Sequence, residues 1–206
     1  MLKRLLCALL CLCFLLSLSL PVLADEASTG SPKGETLNLY TVDCLIKFAN
    51  DCRLDSYSEN LTVTLRADLD MEGIAFSGIP TFSGTFNGNG HTISGLSITE
   101  NGSVMGLFRY LTPTAIVQDL TVSGQVCPGG SRDTAGGIAG QNEGLLRNCQ
   151  FTGSVFGSDY AGGLVGVNLL TGILENCKVN GSIIGDHFIG GIECGVKLYI
   201  YSGLRL

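Results

Sequence analysis

The feature that most constrains this chain is a repeat. Three ten-residue segments align without gaps: VQDLTVSGQV from Val117, LRNCQFTGSV from Leu146 and LENCKVNGSI from Leu174, at offsets of 29 and 28 residues. Between them run GGIAGQN from Gly136 and GGLVGVN from Gly162, and GGIECGV from Gly190 opens a further copy. GLF at Gly106 is a weaker earlier relative of that element. Within each copy, one set of alternate residues reads Leu120, Val122, Gly124, Val126; then Cys149, Phe151, Gly153, Val155; then Cys177, Val179, Gly181, Ile183. The intervening residues are Thr121, Ser123, Gln125; then Gln150, Thr152, Ser154; then Lys178, Asn180, Ser182. Successive side chains of a strand point to opposite faces, so the first set is inward and the second solvated. One unit cannot bury its apolar face alone. Stacking copies about 4.8 Å apart joins those faces into continuous columns.

The repeat predicts an all-β fold: a right-handed parallel β-helix, a solenoid, over residues 41–192, with a short N-terminal capping helix. Propeller blades run about 40 residues or more, longer than this period, and the L-x-x-L-x-L pattern of leucine-rich repeats is missing. Thr41 is placed to cap a helix in which Val42, Leu45, Ile46 and Ala49 recur at i, i+3, i+4 and i+7. LTVTLRADLDMEG from Leu61 then reads as a strand entering the first coil, and Asn87-Gly88-Asn89-Gly90 as a turn between alternating segments. Gly124, Gly153 and Gly181 fit a bend where a side chain would crowd the next strand or where φ must be positive. Asp119, Asn148 and Asn176 fall at equivalent places, as do Asn142 and Asn168. Their spacing predicts ladders of side chains bonded to turn backbone and to each other.

The N-terminus has the layout of a secretory signal peptide. Lys3 and Arg4 precede an apolar run from Leu5 to Leu20, then Pro21, and Val22-Leu23-Ala24 offers small side chains before a cut after Ala24. Residues 25–40 read as a flexible leader. Without residues 1–24 the chain keeps ten basic against eighteen acidic residues, a net charge of −8. That argues against a nucleic-acid partner, which needs a basic stripe. No second apolar segment is long enough to span a membrane. The expected location is secreted or cell-surface.

The run FSGTFNGNGHTISGLSI from Phe82, then GLF, then the repeats GGIAGQN…LRNC and GGLVGVN…LENC, resembles the GLUG-motif repeat proteins. The resemblance covers residues 41–192. It implies a bacterial secreted or cell-surface β-helical scaffold, adhesin-like in character, with an unknown protein or glycan partner. It brings no family-wide catalytic constellation.

The residues themselves point to little chemistry. His91 sits beside the NGNG turn and His187 stands before a strand; two histidines without spaced partners make a weak zinc case. Parallel β-helices host polysaccharide lyases and hydrolases, which need clustered carboxylates. Asp68 and Asp70 are the close pair inside the predicted coils, two apart on one strand face, and read as solvated strand-end acids. Asp133 lacks the repeated GGxGxD pattern of calcium-bound rolls. No catalytic, cofactor-binding or metal residues are predicted; the expectation is a non-enzyme without cofactors, the alternatives being a carbohydrate-active β-helix enzyme or a fragment of a larger surface protein. Of the cysteines beyond the signal (Cys44, Cys52, Cys127, Cys149, Cys177 and Cys194), Cys149 and Cys177 share an inward column. In-register strands hold their Cβ atoms about 4.8 Å apart, wider than the roughly 3.8 Å a disulfide prefers, so stacked thiols are expected. After Gly190 the register fails: Cys194 stands where glycine is due and Val196 where asparagine is due. Residues 193–206 therefore read as an irregular tail left by a frameshift or truncation.

Overall fold

The computed structural model describes residues 34–130 and 133–191, and the backbone of residues 199–202. The chain winds through five successive coils. The first holds β1 (Thr36–Leu39), helix α1 (Val42–Asp51), β2 (Thr62–Leu65), β3 (Leu69–Asp70) and β4 (Ile79–Phe82). The second holds β5 (Thr85–Asn87), β6 (Thr92–Ile98), β7 (Val104–Met105) and β8 (Phe108–Leu111). The third holds β9 (Ile116–Gln118), β10 (Thr121–Val126), β11 (Thr134–Gly136) and β12 (Ala139–Asn142). The fourth holds β13 (Leu145–Arg147), β14 (Gln150–Gly157), β15 (Tyr160–Gly162) and β16 (Val165–Asn168). The fifth holds β17 (Ile173–Glu175), β18 (Lys178–Gly185) and β19 (Phe188–Gly190), and β20 (Tyr199–Ser202) follows.

Strands at the same place in successive coils pair in parallel, giving four sheets ordered β1-β2-β5-β9-β13-β17, β3-β6-β10-β14-β18-β20, β7-β11-β15-β19 and β4-β8-β12-β16. The result is a β-solenoid of about five turns, as the repeat predicts. The inward columns follow the alternation. Val122 sits level with Phe151 and Phe151 with Val179; Val126 aligns with Val155 and Val155 with Ile183. All six are buried. Each such rung removes apolar surface on both sides of a strand, and this stacking is the main force holding the coils together.

The glycine rung joins Gly124 to Gly153 and Gly153 to Gly181, with φ of 148°, 150° and 159°. A Cβ at Gly153 would run into the carbonyl oxygen of Gly124, and one at Gly181 into that of Gly153. Glycine is thus required both by conformation and by the close approach of the next coil. In β6 the rung is irregular: the register to β10 shifts, with Leu96 opposite Gly124, and the extra residue forms a β-bulge.

Helix α1 closes one end of the core. The Thr41 side chain accepts a hydrogen bond from the Cys44 N–H at 3.3 Å, capping the helix as expected. Leu45, Phe48 and Ala49 are buried, while Val42 and Ile46 are only partly covered. Phe48 was not in the predicted stripe, yet it anchors the helix, with ring centroids 6.0 Å from Phe82 and 6.4 Å from Phe86.

Two expectations change. The flexible leader does not extend to residue 40, because β1 pairs in register with β2 from Thr36↔Thr62 to Leu39↔Leu65. Leu37 and Leu39, two apart, turn the same face to the core: Leu39 is fully buried and Leu37 packs against the cluster. The NGNG turn forms as expected. It is a corner between β5 and β6, which lie in different sheets, and the N–H groups of Gly88 and Gly90 donate to Gln118 and Asp119 of the next coil. The expected signal peptide lies outside the described residues, and so does the tail except for the backbone of β20. That strand pairs with β18 from Ser182↔Tyr199 to Gly185↔Ser202, so part of the tail continues a sheet where weak alternation predicted none.

Candidate functional site

Asp68 lies exposed at the corner that leads into β3, and Asp70, also exposed, ends that strand. Asp68 Oδ1 accepts hydrogen bonds from the Thr92 N–H at 2.9 Å and from His91 Nδ1 at 3.1 Å. The bond from Thr92 first, then that from His91, holds the Asp68 carboxyl below the usual carboxylate range. A general acid needs the opposite shift. Asp70 Oδ1 accepts from the Glu72 N–H at 3.1 Å, so its carboxylate secures the following turn. His91 is therefore one member of an inter-coil pair. His187 is another: its Nδ1 lies 3.1 Å from the Ser158 carbonyl oxygen and 3.5 Å from Asp159 Oδ1. Asp133 is fully buried, and its Oδ1 accepts from both the N–H and the hydroxyl of Ser158.

The repeated amides form the expected ladders. Asn148 Nδ2 donates to Asp119 Oδ1 at 2.8 Å, and Asn176 Nδ2 to Asn148 Oδ1 at 3.3 Å. All three residues take positive φ, between 51° and 53°, a conformation that Asn and Asp tolerate better than other side chains. In the other ladder, Asn142 Nδ2 donates to Asn168 Oδ1 at 2.8 Å, and Asn142 Oδ1 accepts from the Gly144 N–H at 3.1 Å.

Cys149 and Cys177 are buried, unlinked and stacked in one column. Cys149 Sγ donates to the Arg147 carbonyl at 3.3 Å and Cys177 Sγ to the Glu175 carbonyl at 3.3 Å. The neighbouring Cys177 thiol, and then burial, push the Cys149 thiol up, while the same neighbour holds Cys177 lower. Cys44 and Cys52, at opposite ends of α1, are also unlinked. Cys127 is exposed. Cys194 lies outside the described residues.

The solvent face offers two kinds of feature that sequence reasoning did not single out. One is a cleft of about 540 Å³ where three turns stack, walled by Thr62, Ser83, Thr85, Thr112 and Thr114, with Glu59 at its rim. The other is a pair of rings in register at the starts of β15 and β19. Tyr160 and Phe188 stack with centroids 4.9 Å apart and planes within 12°. A signal was available: TAG at Thr134, YAG at Tyr160 and FIG at Phe188 align, with an aromatic residue entering the outward place in the last two. No group of three or more metal-ligating side chains occurs among the described residues. No helix there is long and apolar enough to cross a membrane.

The GLUG motif is matched at residues 157–184, a stretch that runs from the end of β14 to the end of β18. Halomucin from Haloquadratum walsbyi is 39% identical over 90 residues, which is 43% of this chain and 1% of halomucin. Among solved structures, a candidate immunoglobulin A1 protease from Bacteroides ovatus superposes with a TM-score of 0.56 at 20% identity, over 80% of this chain and 56% of that one. This last likeness concerns the fold alone. The matched motif is one turn of an array whose neighbouring turns carry the same glycines, inward columns and amide ladders in the same register, so the chain carries a GLUG motif within a longer run of like repeats and is similar there to GLUG-motif repeat proteins.

Proposed function

We propose that this protein is a non-catalytic extracellular scaffold, a surface module of adhesin-like type that is exported, loses residues 1–24 and binds a protein or glycan partner. The observation that carries this reading is the 90-residue likeness to halomucin, a mucin by name, within an array built on the GLUG repeat. The geometry agrees with a scaffold. Its repeated polar side chains bond to turns and to each other, which fixes a stiff wall on which outward side chains can vary without disturbing the core. Asp68, whose carboxyl is held ionised by Thr92 and His91, is suited to bracing a corner.

The test has two arms. Mass measurement of the product recovered from outside the producing cell should begin at Asp25, and surface proteolysis of intact cells should remove the protein; retention in the cytoplasm would sink the reading. Incubation with host or cell-wall polysaccharide should give binding without turnover. Release of new sugar ends that is lost in Asp68→Asn or Asp70→Asn would instead establish a carbohydrate-active enzyme.

A further inference from the structure

Tyr160 and Phe188 occupy an outward column that the fold fills differently elsewhere. Thr134 stands at the same place in β11, paired with Tyr160, and Val104 in β7, paired with Thr134. The stacking of the sheet therefore requires no ring there. The inward neighbours are Ala161, which is buried, and Ile189, which packs against the core. Tyr160 is nonetheless 38% exposed and Phe188 63% exposed. Their backbone is held firmly: the Tyr160 N–H donates to the Asp133 carbonyl at 3.1 Å and the Phe188 N–H to the Asp159 carbonyl at 2.8 Å. Two apolar rings are thus presented to water on a rigid support, so little conformational freedom is left to lose on binding.

We propose that this stacked pair is a binding platform for a neutral sugar ring of a glycan, an inference that rests on the surface-scaffold reading and names the partner. Shape points that way first. Each ring covers one face of the other, so the pair offers flat outer faces and edges and encloses nothing. An aromatic cage for a methylated ammonium group encloses its guest with several faces. A pyranose has one flat face of C–H bonds, which suits a single ring face, and a rim of hydroxyl groups. Asp159 and His187 immediately precede the two rings in the chain and face each other at 3.5 Å, and the exposed Asp186 stands one residue before His187. Carboxylates accept hydroxyl hydrogens in short charge-assisted bonds. These acids and the net charge of −6 on the chain oppose uronic or sialic acids and also nucleic acid. The two rings alone fall short of a protein interface: aromatic side chains bury about 200 Å² each, against roughly 800 Å² per partner in standard interfaces.

The experiment uses the full chain, first on an array of neutral and anionic glycans and then by NMR of the Tyr160 and Phe188 ring signals with chitohexaose, cellohexaose, mannohexaose, oligogalacturonate and tetramethylammonium as probes. The expected result is that a neutral oligosaccharide moves both ring signals. Phe188→Leu keeps apolar bulk without a ring and should weaken that binding by roughly tenfold or more, whereas Phe188→Tyr should retain it. Far-ultraviolet circular dichroism would establish that each variant is folded. Ring signals that respond only to tetramethylammonium, to oligogalacturonate or to protein concentration would overturn the proposal, as would unchanged affinity in Phe188→Leu. A neutral glycan bound with the rings unmoved would defeat this site and leave the scaffold reading in place. A chain kept in the cytoplasm whose rings still bind a neutral sugar would do the reverse.

Discussion

Phe151 fills the interior beside Gly137, where a Cβ would run into its ring, while Thr152, the next residue, faces outward. Phe151→Asp places an unpaired carboxylate in an apolar column and should unfold the protein or make it aggregate. Thr152→Asp should change stability by less than about 0.5 kcal/mol. Urea titration of the two variants checks the face assignment, and equal tolerance would refute it. Cys52 gives a pH test. Burial, and then the nearby Asp51 charge, push its thiol up to about 12. The folded state therefore favours the neutral thiol. That contribution is fully present below the unfolded value near 9 and is lost as pH rises toward 12. Stability should fall over this window, by up to about 4 kcal/mol for a shift of about three units. Cys52→Ala should show a shallower slope in denaturant midpoints measured from pH 8 to 11. These inward residues were legible because a period of two survives in three aligned copies. Phe48 was not, because it lies beside the apolar stripe read for the helix and its partners Phe82 and Phe86 come from later strands.

At the scale of the element, the corners decide where each strand begins. Asn148 does two things there: its backbone takes φ of 51° and its amide bridges Asp119 and Asn176. Asn148→Gly keeps the backbone conformation and removes the amide, whereas Asn148→Ala loses both. The alanine variant should cost about 2 kcal/mol, and the glycine variant about 1 kcal/mol less. Thermal unfolding of both would separate the two contributions, and equal losses would show that the ladder alone matters. The ladders were legible from spacing. The strand β1 was not, since TLNL offers only two apolar residues, and its pairing becomes visible only once β2 lies beside it. The NGNG turn was legible from its residues, but the sheet it leads into was not. Asn-Gly serves any turn with positive φ, and whether the chain then reverses depends on which sheet receives the next strand. Tyr160 and Phe188 were legible only as aromatic residues, because their exposure depends on which face of a three-residue strand meets the core.

At the scale of the molecule, the register makes a whole coil removable. Leu120 and Cys149 hold equivalent places just before the paired starts of β10 and β14. Deleting Thr121–Cys149, one period of 29 residues, joins Leu120 to Gln150 and keeps every inward residue inward. That variant should remain folded with a lower melting temperature, while a deletion of about half a period should abolish folding because strands would meet the wrong sheet. Circular dichroism and size-exclusion chromatography would distinguish the two outcomes. Two folded variants of equal stability would contradict the solenoid.

The ring cluster at the helical end also gives the molecule a direction. Phe48, Phe82, Phe86 and Phe108 interlock with centroid separations between 5.3 and 6.4 Å, all from α1 and the first two coils. Farther along, the same columns are filled by smaller groups: Val117, Ala139, Leu146 and Val165. Large rings bury more surface per rung than these replacements. Amide protons in the first two coils should outlast those in the fourth and fifth during hydrogen exchange. Within the described coils, stability is therefore graded along the axis, highest at the aromatic base that the helix covers.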